Sequence, residues 1–242
     1  MHRITKKVHG PLKPKLRTPA EDRAHWGRYD TVGQTVYASG IATTAYMEIL
    51  SPYRTQFASE KRALKKTADA MGVPLEVLWS EIASEWHQAG NMHAMWLPQA
   101  WREERLLHSV AFPRGWWIDI TATETLTAIR NEFIGGFPDE QQEIADSLTI
   151  SDVTGEDRLL TTTLASMLRD RVELDDGSLP LGIRFLSKHG NPAGQSGACW
   201  AHWLRGSESP NLQQPAALPP AARHAASILD RRSISHRHIS AG

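Results

Sequence analysis

Apolar residues recur along this chain at two periods, and the alternation between them sets out the elements. In residues 155–172, GEDRLLTTTLASMLRDRV, the side chains Leu160, Leu164, Met167 and Leu168 fall on one face of a 3.6-residue period, which predicts an amphipathic helix. Residues 74–90, PLEVLWSEIASEWHQAG, repeat the signal with Val77, Leu78, Ile82 and Trp86, and Gly90 closes it. ASEKRALKKTADAM reads as helix up to Gly72, and TETLTAIRNEF as another. TTAYMEIL opens with Thr43 and Thr44 as N-cap candidates and continues with helix formers, but Pro52 predicts a break or a new start just beyond it.

Short β-rich runs lie between the helices: TVYASG closed by Ser39 and Gly40, RGWWIDITA, LGIRFLS, and ACWAHWLR after the loop KHGNPAGQSG. Asp175 to Gly177 forms a turn. No internal repeat is present. Strands mixed with helices imply one α/β or α+β domain over residues 19–206.

The flanks differ in composition. Residues 207–242 turn to Pro, Ala and Ser with few large apolar side chains, which predicts a mobile tail with one short helix after Pro220. Residues 1–18 carry Arg3, Lys6, Lys7, Lys13, Lys15 and Arg17 with no acid. A solvated, partly disordered arm is favoured there over one that touches nucleic acid or phosphate. Over the whole chain 27 basic residues balance 27 acidic ones, so net charge calls for no polyanionic partner, and no nucleic acid is expected directly. No apolar run reaches the ~20 residues of a membrane span, and the basic N-terminus lacks the apolar core of a signal peptide. Cytoplasmic residence is the default expectation. A single cysteine, Cys199, excludes an internal disulfide and a cysteine-rich zinc site.

Phosphate-loop, dinucleotide-fingerprint and zinc-protease motifs are absent, and neither Ser39 nor Ser196 sits in GxSxG. His87 and His93 are six apart, off helical register, and His236 and His238 fall in the tail; all four read as ordinary histidines rather than metal ligands. The segment WGRYDTVGQTVYASGIATTAYMEIL is more informative. Arg28 precedes a polar turn, Tyr37 lies on a strand and Glu48 on the following helix, a unit that brings strand and helix residues to one sheet edge. Arginine grips phosphate with a planar fork, tyrosine offers a face for stacking, and a carboxylate among apolar neighbours can stabilise a cationic ribosyl centre. A plain Arg28–Glu48 ion pair with a half-buried strand tyrosine fits the same spacing.

GRYDTVGQTVYASGIATTAYMEIL resembles the opening motif of the RES-domain family, bacterial NAD-degrading toxins, with its G-R-[WY]-[ND] turn, Y-[AL]-[AS] strand and A-x-x-E helix. The Arg28-to-Tyr37 step of nine and the Tyr37-to-Glu48 step of eleven suit that pattern. LGIRFLSKHGNPAGQSGACWAHWL resembles the family's late G-I-x-[YF]-x-S segment and places Ser187 in its serine position. WWIDITATETLTAI resembles the V-D-[LI]-T segment between them. The likeness spans residues 22–206.

What the resemblance implies is a small split β-sheet surrounded by helices, like the mono-ADP-ribosyltransferase core. Arg28, Tyr37, Glu48 and Ser187 would line one NAD pocket. Arg28 would hold the pyrophosphate or ribose side, Tyr37 would stack or orient nicotinamide, Glu48 would stabilise the oxocarbenium ion, and Ser187 would fix the pose. Lys188 and His189, beside that serine, suit a phosphate contact and a plain solvated loop equally well. An upstream family arginine is matched by Arg3 or Arg17, and spacing does not choose. NAD is then substrate rather than cofactor, no metal is needed, and the implied activity is a glycohydrolase or phosphorylase. Such a toxin would have a cognate antitoxin.

Two alternatives stay open. One is ADP-ribosyl transfer to a protein or metabolite, which is weakened by Tyr46 where many transferases carry a second carboxylate. The other is an inert binding module. Residues 51–115 are longer than in compact members and read as a helix-rich insert, whose Trp79, Trp86, Trp96 and Trp101 suit a core or a subunit contact. A homo-oligomer is therefore compatible with the sequence.

Overall fold

A computed structural model describes residues 1–91, 97–189, 194–206, 211–212 and 216–217. In chain order the elements are β1 (His2–Lys6), β2 (Gln34–Ser39), α1 (Ala42–Met71), α2 (Leu75–Gln88), α3 (Gln99–Glu103), β3 (Arg105–Ala111), β4 (Ile118–Asp119), α4 (Thr123–Glu132), α5 (Gln142–Asp146), α6 (Ile150–Thr154), α7 (Arg158–Arg171), β5 (Gly182–Leu186), β6 (Ala198–Leu204), β7 (Asn211–Leu212) and β8 (Ala216–Ala217). One open mixed sheet runs β4-β5-β6-β2-β1-β3, and the two short strands β7 and β8 both pair with β3. Among the described residues only β4 and β5 pair in parallel. The architecture is the α+β single domain expected from the sequence.

The sheet has two unequal joints. β2 and β6 stay in register over six pairs, from Gln34↔Leu204 to Ser39↔Cys199. β1 and β2 share a single pair, His2↔Ser39, so the sheet is almost divided between them. Across this gap Arg3 Nη1 donates a 2.7 Å hydrogen bond to the Tyr37 carbonyl. Burial holds the Arg3 guanidinium down, at about 10, below its ordinary value. The main core lies on the β2-β5-β6 side, where α4 and α7 bury Leu126, Ile129, Leu160, Leu164 and Leu168 with Ile183 and Trp203. On the other side Tyr46 and Leu50 of α1 pack with Ile4 and Leu107.

Several expectations need correction. The basic arm does not stand apart, because its residues 2–6 are β1, paired with β3 over five positions from His2↔Ser109 to Lys6↔Arg105. The long insert is helical only in part: β3, within it, is a strand of the sheet. Of RGWWIDITA only Ile118 and Asp119 form a strand. Residues 211–212 and 216–217 of the proline-rich segment pair with β3, while the helix expected after Pro220 lies outside the described residues. The stripe on α2 is only partly covered: Leu78 is buried, but Val77 and Trp86 are exposed.

α1 also differs from expectation at both ends of its first half. Its N-cap is Ile41, without a side-chain cap, rather than Thr43 or Thr44. The helix then runs through Pro52 without a break. Proline has no N–H to give the carbonyl four residues back, which is that of Glu48. The Ser51 hydroxyl donates to that carbonyl at 2.8 Å instead. Gly72 ends the helix as expected, in a left-handed conformation (φ 67°) with its N–H on the Ala68 and Asp69 carbonyls. Among the described residues no helix is long and apolar enough to cross a membrane.

Candidate active site

Paired and alternate strand residues share a face of a sheet. The registers Tyr37↔Ala201, Ser39↔Cys199 and Phe185↔Cys199 therefore put Tyr37, Ser39, Phe185 and Cys199 on one face. Ser187 follows directly from β5, held by its N–H on the Gly197 carbonyl at 2.9 Å. Glu48 sits in the second turn of α1, which leaves β2 at the same end of the sheet.

These two residues meet. Ser187 Oγ donates to Glu48 Oε1 at 2.5 Å, and the same hydroxyl accepts the His189 N–H at 3.2 Å. His189 Nε2 lies 3.9 Å from Glu48 Oε2. Ser187 is buried, whereas the Glu48 side chain keeps 36% of its surface exposed. One carboxylate oxygen is thus fixed and the carboxylate remains reachable from outside.

Arg28 is drawn to a different carboxylate. Its Nε donates to the Gly155 carbonyl at 3.2 Å and its Nη2 lies 4.0 Å from Glu156 Oε1. Lys188 Nζ contacts that same oxygen. Arg158 Nη2 donates to Glu156 Oε2 at 2.5 Å, and its Nη1 reaches the Gly155 carbonyl at 3.3 Å. Burial first and Arg28 second push Arg158 and Lys188 below their ordinary values, while Glu48 acts the other way on Lys188. Arg28, Lys188 and Glu48 are therefore electrostatic neighbours, but no direct Arg28–Glu48 ion pair forms among the described contacts.

Tyr37 is turned inward at its tip. Its hydroxyl accepts the Tyr29 N–H at 2.9 Å and lies beside Asp30. Burial, and next the Asp30 charge, raise Tyr37 well above the ordinary tyrosine value, so the phenol stays neutral. The residue as a whole is half-buried, with its ring edge-on to Phe185 at 6.5 Å and packed against the main core.

The turn that carries Arg28 is pinned from several sides. Asp30 Oδ2 accepts the Gly27 N–H and Arg17 Nε, both at 2.8 Å. Tyr29 Oη donates to the Val153 carbonyl, and Trp203 Nε1 donates to the Tyr29 carbonyl. Arg17 and Arg3, the two candidates for an upstream ligand arginine, are both committed to protein groups: Arg17 to Asp30 and Arg3 to the Tyr37 carbonyl. Tyr46, in the position of a second transferase carboxylate, is buried in the α1 core.

Glu156 and Arg158 escape sequence reasoning. GEDR before an amphipathic run reads only as a helix start, and Asp157 does cap α7 through the Leu160 N–H at 2.9 Å. Among the described residues no group of His, Cys, Asp and Glu is placed to hold a metal ion. His87 is exposed on α2; His93, His236 and His238 lie outside the described residues, as does Trp96. A cavity of about 60 Å³ lined by Lys61, Leu75, Glu76 and Trp79 lies between α1 and α2, not at Glu48. No known protein family, curated protein or solved structure matches this chain. The likeness to the RES-domain family stands on the motifs alone.

Proposed function

We propose that the protein consumes NAD by cleaving the nicotinamide–ribose bond, as a glycohydrolase or phosphorylase, and acts as the toxin of a toxin–antitoxin pair. The observation that carries this reading is the 2.5 Å Ser187–Glu48 hydrogen bond, which joins the two motifs of the RES resemblance across 139 positions. A carboxylate fixed through one oxygen suits an oxocarbenium-like centre, because preorganised charge stabilises such a transition state without reorganising. The C1′–nitrogen bond breaks with its electron pair passing to the nicotinamide ring. Water or phosphate adds at C1′, and Glu48 takes the water's proton. Arg28 holds the diphosphate side, and Tyr37 stacks on or orients the nicotinamide.

Nicotinamide release from NAD, measured with and without phosphate, tests the reading and separates hydrolysis from phosphorolysis. Release by the wild-type chain and its loss in Glu48→Gln is the expected result. No release under either condition overturns it. Relief of growth arrest by a small adjacent open reading frame tests the antitoxin.

A further inference from the structure

Arg28 and Arg158 come from elements 130 positions apart, yet both guanidinium groups donate to the single Gly155 carbonyl. Lys188 joins them from the loop after β5. Three cations held this close repel one another, and the carboxylate they converge on, Glu156, has a side chain 66% exposed. A solvated carboxylate contributes little to holding buried charges together. Arg28, by contrast, keeps only 10% of its side chain exposed and Arg158 only 21%. The two arginines are built in, Lys188 is 35% exposed, and the anion is the most exposed member of the cluster.

We propose that Arg28, Arg158 and Lys188 form a seat for a diphosphate, and that Glu156 occupies it as an internal stand-in until the ligand displaces it. The assignment of the diphosphate to a dinucleotide rests on the NAD reading above. With Glu156 swung out, Lys188 keeps Glu48 as its neighbouring carboxylate and Arg158 keeps Asp30. Three cations against those two carboxylates leave the seat net positive, which favours an anion such as a pyrophosphate diester. Arg28 and Arg158 supply planar forks for bidentate hydrogen bonds, and Lys188 supplies a point charge. Glu156 therefore tunes affinity by competing with the substrate.

Isothermal titration of the full chain with inorganic pyrophosphate, and separately with ADP-ribose, reads the seat without any bond cleavage. It can therefore succeed where nicotinamide release fails, and the reverse. Glu156→Gln is expected to tighten both probes by roughly 2- to 5-fold, the scale of one exposed charge contact. Arg158→Gln is expected to weaken both by roughly 10-fold or more, with Arg158→Lys in between because it keeps the charge and loses the fork. Melting curves confirm that each variant is folded. Tighter binding of ADP-ribose than of pyrophosphate supports a dinucleotide seat, and equal binding supports a seat for free diphosphate. Unchanged affinities in both Glu156→Gln and Arg158→Gln, or no binding of either probe by the wild-type chain, overturns the proposal.

Discussion

Ser187 Oγ and Glu48 Oε1 stand 2.5 Å apart, linking the residue that leaves β5 to the second turn of α1. The bond aims the carboxylate and leaves its second oxygen beside His189 at 3.9 Å. Glu48→Gln keeps an acceptor for Ser187 but removes the charge. Nicotinamide release is expected to fall by about 100-fold or more. Ser187→Ala is expected to lower it by about 10-fold, on the scale of one hydrogen bond to a charged group. Melting temperatures report whether either loss is merely structural; full activity in Glu48→Gln removes the proposed role.

Gly27 is required by space rather than by backbone conformation. A Cβ there would stand 2.7 Å from Tyr37 Oη and 2.9 Å from Asp30 Oδ1. Both atoms are tied, the first to the Tyr29 N–H and Asp30's carboxylate to Arg17 and the Gly27 N–H, so neither recedes easily. Gly27→Ala is expected to destabilise the protein by about 1–3 kcal/mol, read from urea unfolding. A neutral result would show that the GRYD turn shifts freely.

The Arg17–Asp30 pair holds the same turn at 2.8 Å, with side chains only 12% and 7% exposed. Arg17→Ala strands a buried carboxylate that keeps the Gly27 N–H and the neighbouring Tyr37 hydroxyl but no paired cation on its Oδ2. The expected loss is about 3 kcal/mol, together with weaker NAD turnover because Arg28 loses its support. Asp30→Asn should be milder, since the amide oxygen still accepts.

Pro52 makes α1 improvable. It is exposed, and a proline within a helix typically costs about 3 kcal/mol relative to alanine. Here Ser51 offsets part of that by bonding the Glu48 carbonyl. Pro52→Ala is expected to raise stability by about 1–2 kcal/mol. Ser51→Ala should lower it by about 0.5–1 kcal/mol. The double variant should lose most of the Ser51 effect, because the backbone N–H restored by Pro52→Ala then serves the same carbonyl; thermal unfolding of all three checks this.

Alkaline pH should weaken the fold. Burial pushes the Cys199 thiol up to about 12 from 9.0, and raises Tyr29 and Tyr37 as well. A raised folded-state value means that the unfolded chain loses the proton first. The thiol's contribution is complete below pH 9 and is lost progressively as pH rises toward about 12. Each such group contributes at most about 1.4 kcal/mol per pH unit. Arg3, lowered to about 10, acts in the opposite sense above that pH, so urea midpoints are best compared below it. Cys199→Ala should flatten the slope; an unchanged slope would assign it elsewhere.

The sequence by itself determined the elements whose signals are local. Leu160, Leu164, Met167 and Leu168 are all buried on α7, and Gly72 ends α1, because helical period and glycine's left-handed freedom depend only on near neighbours. TVYASG, LGIRFLS and ACWAHWLR became β2, β5 and β6 for the same reason. Tertiary structure alone decided the rest. HRITK carries no distinctive strand signal and becomes β1 only because β3 pairs with it a hundred positions later. The Tyr37 hydroxyl turns inward because Asp30 and the Tyr29 amide await it. Glu156 and Arg158 meet Arg28 and Lys188 only when α7, the GRYD turn and the end of β5 converge, and charges so far apart in sequence leave no local pattern to read.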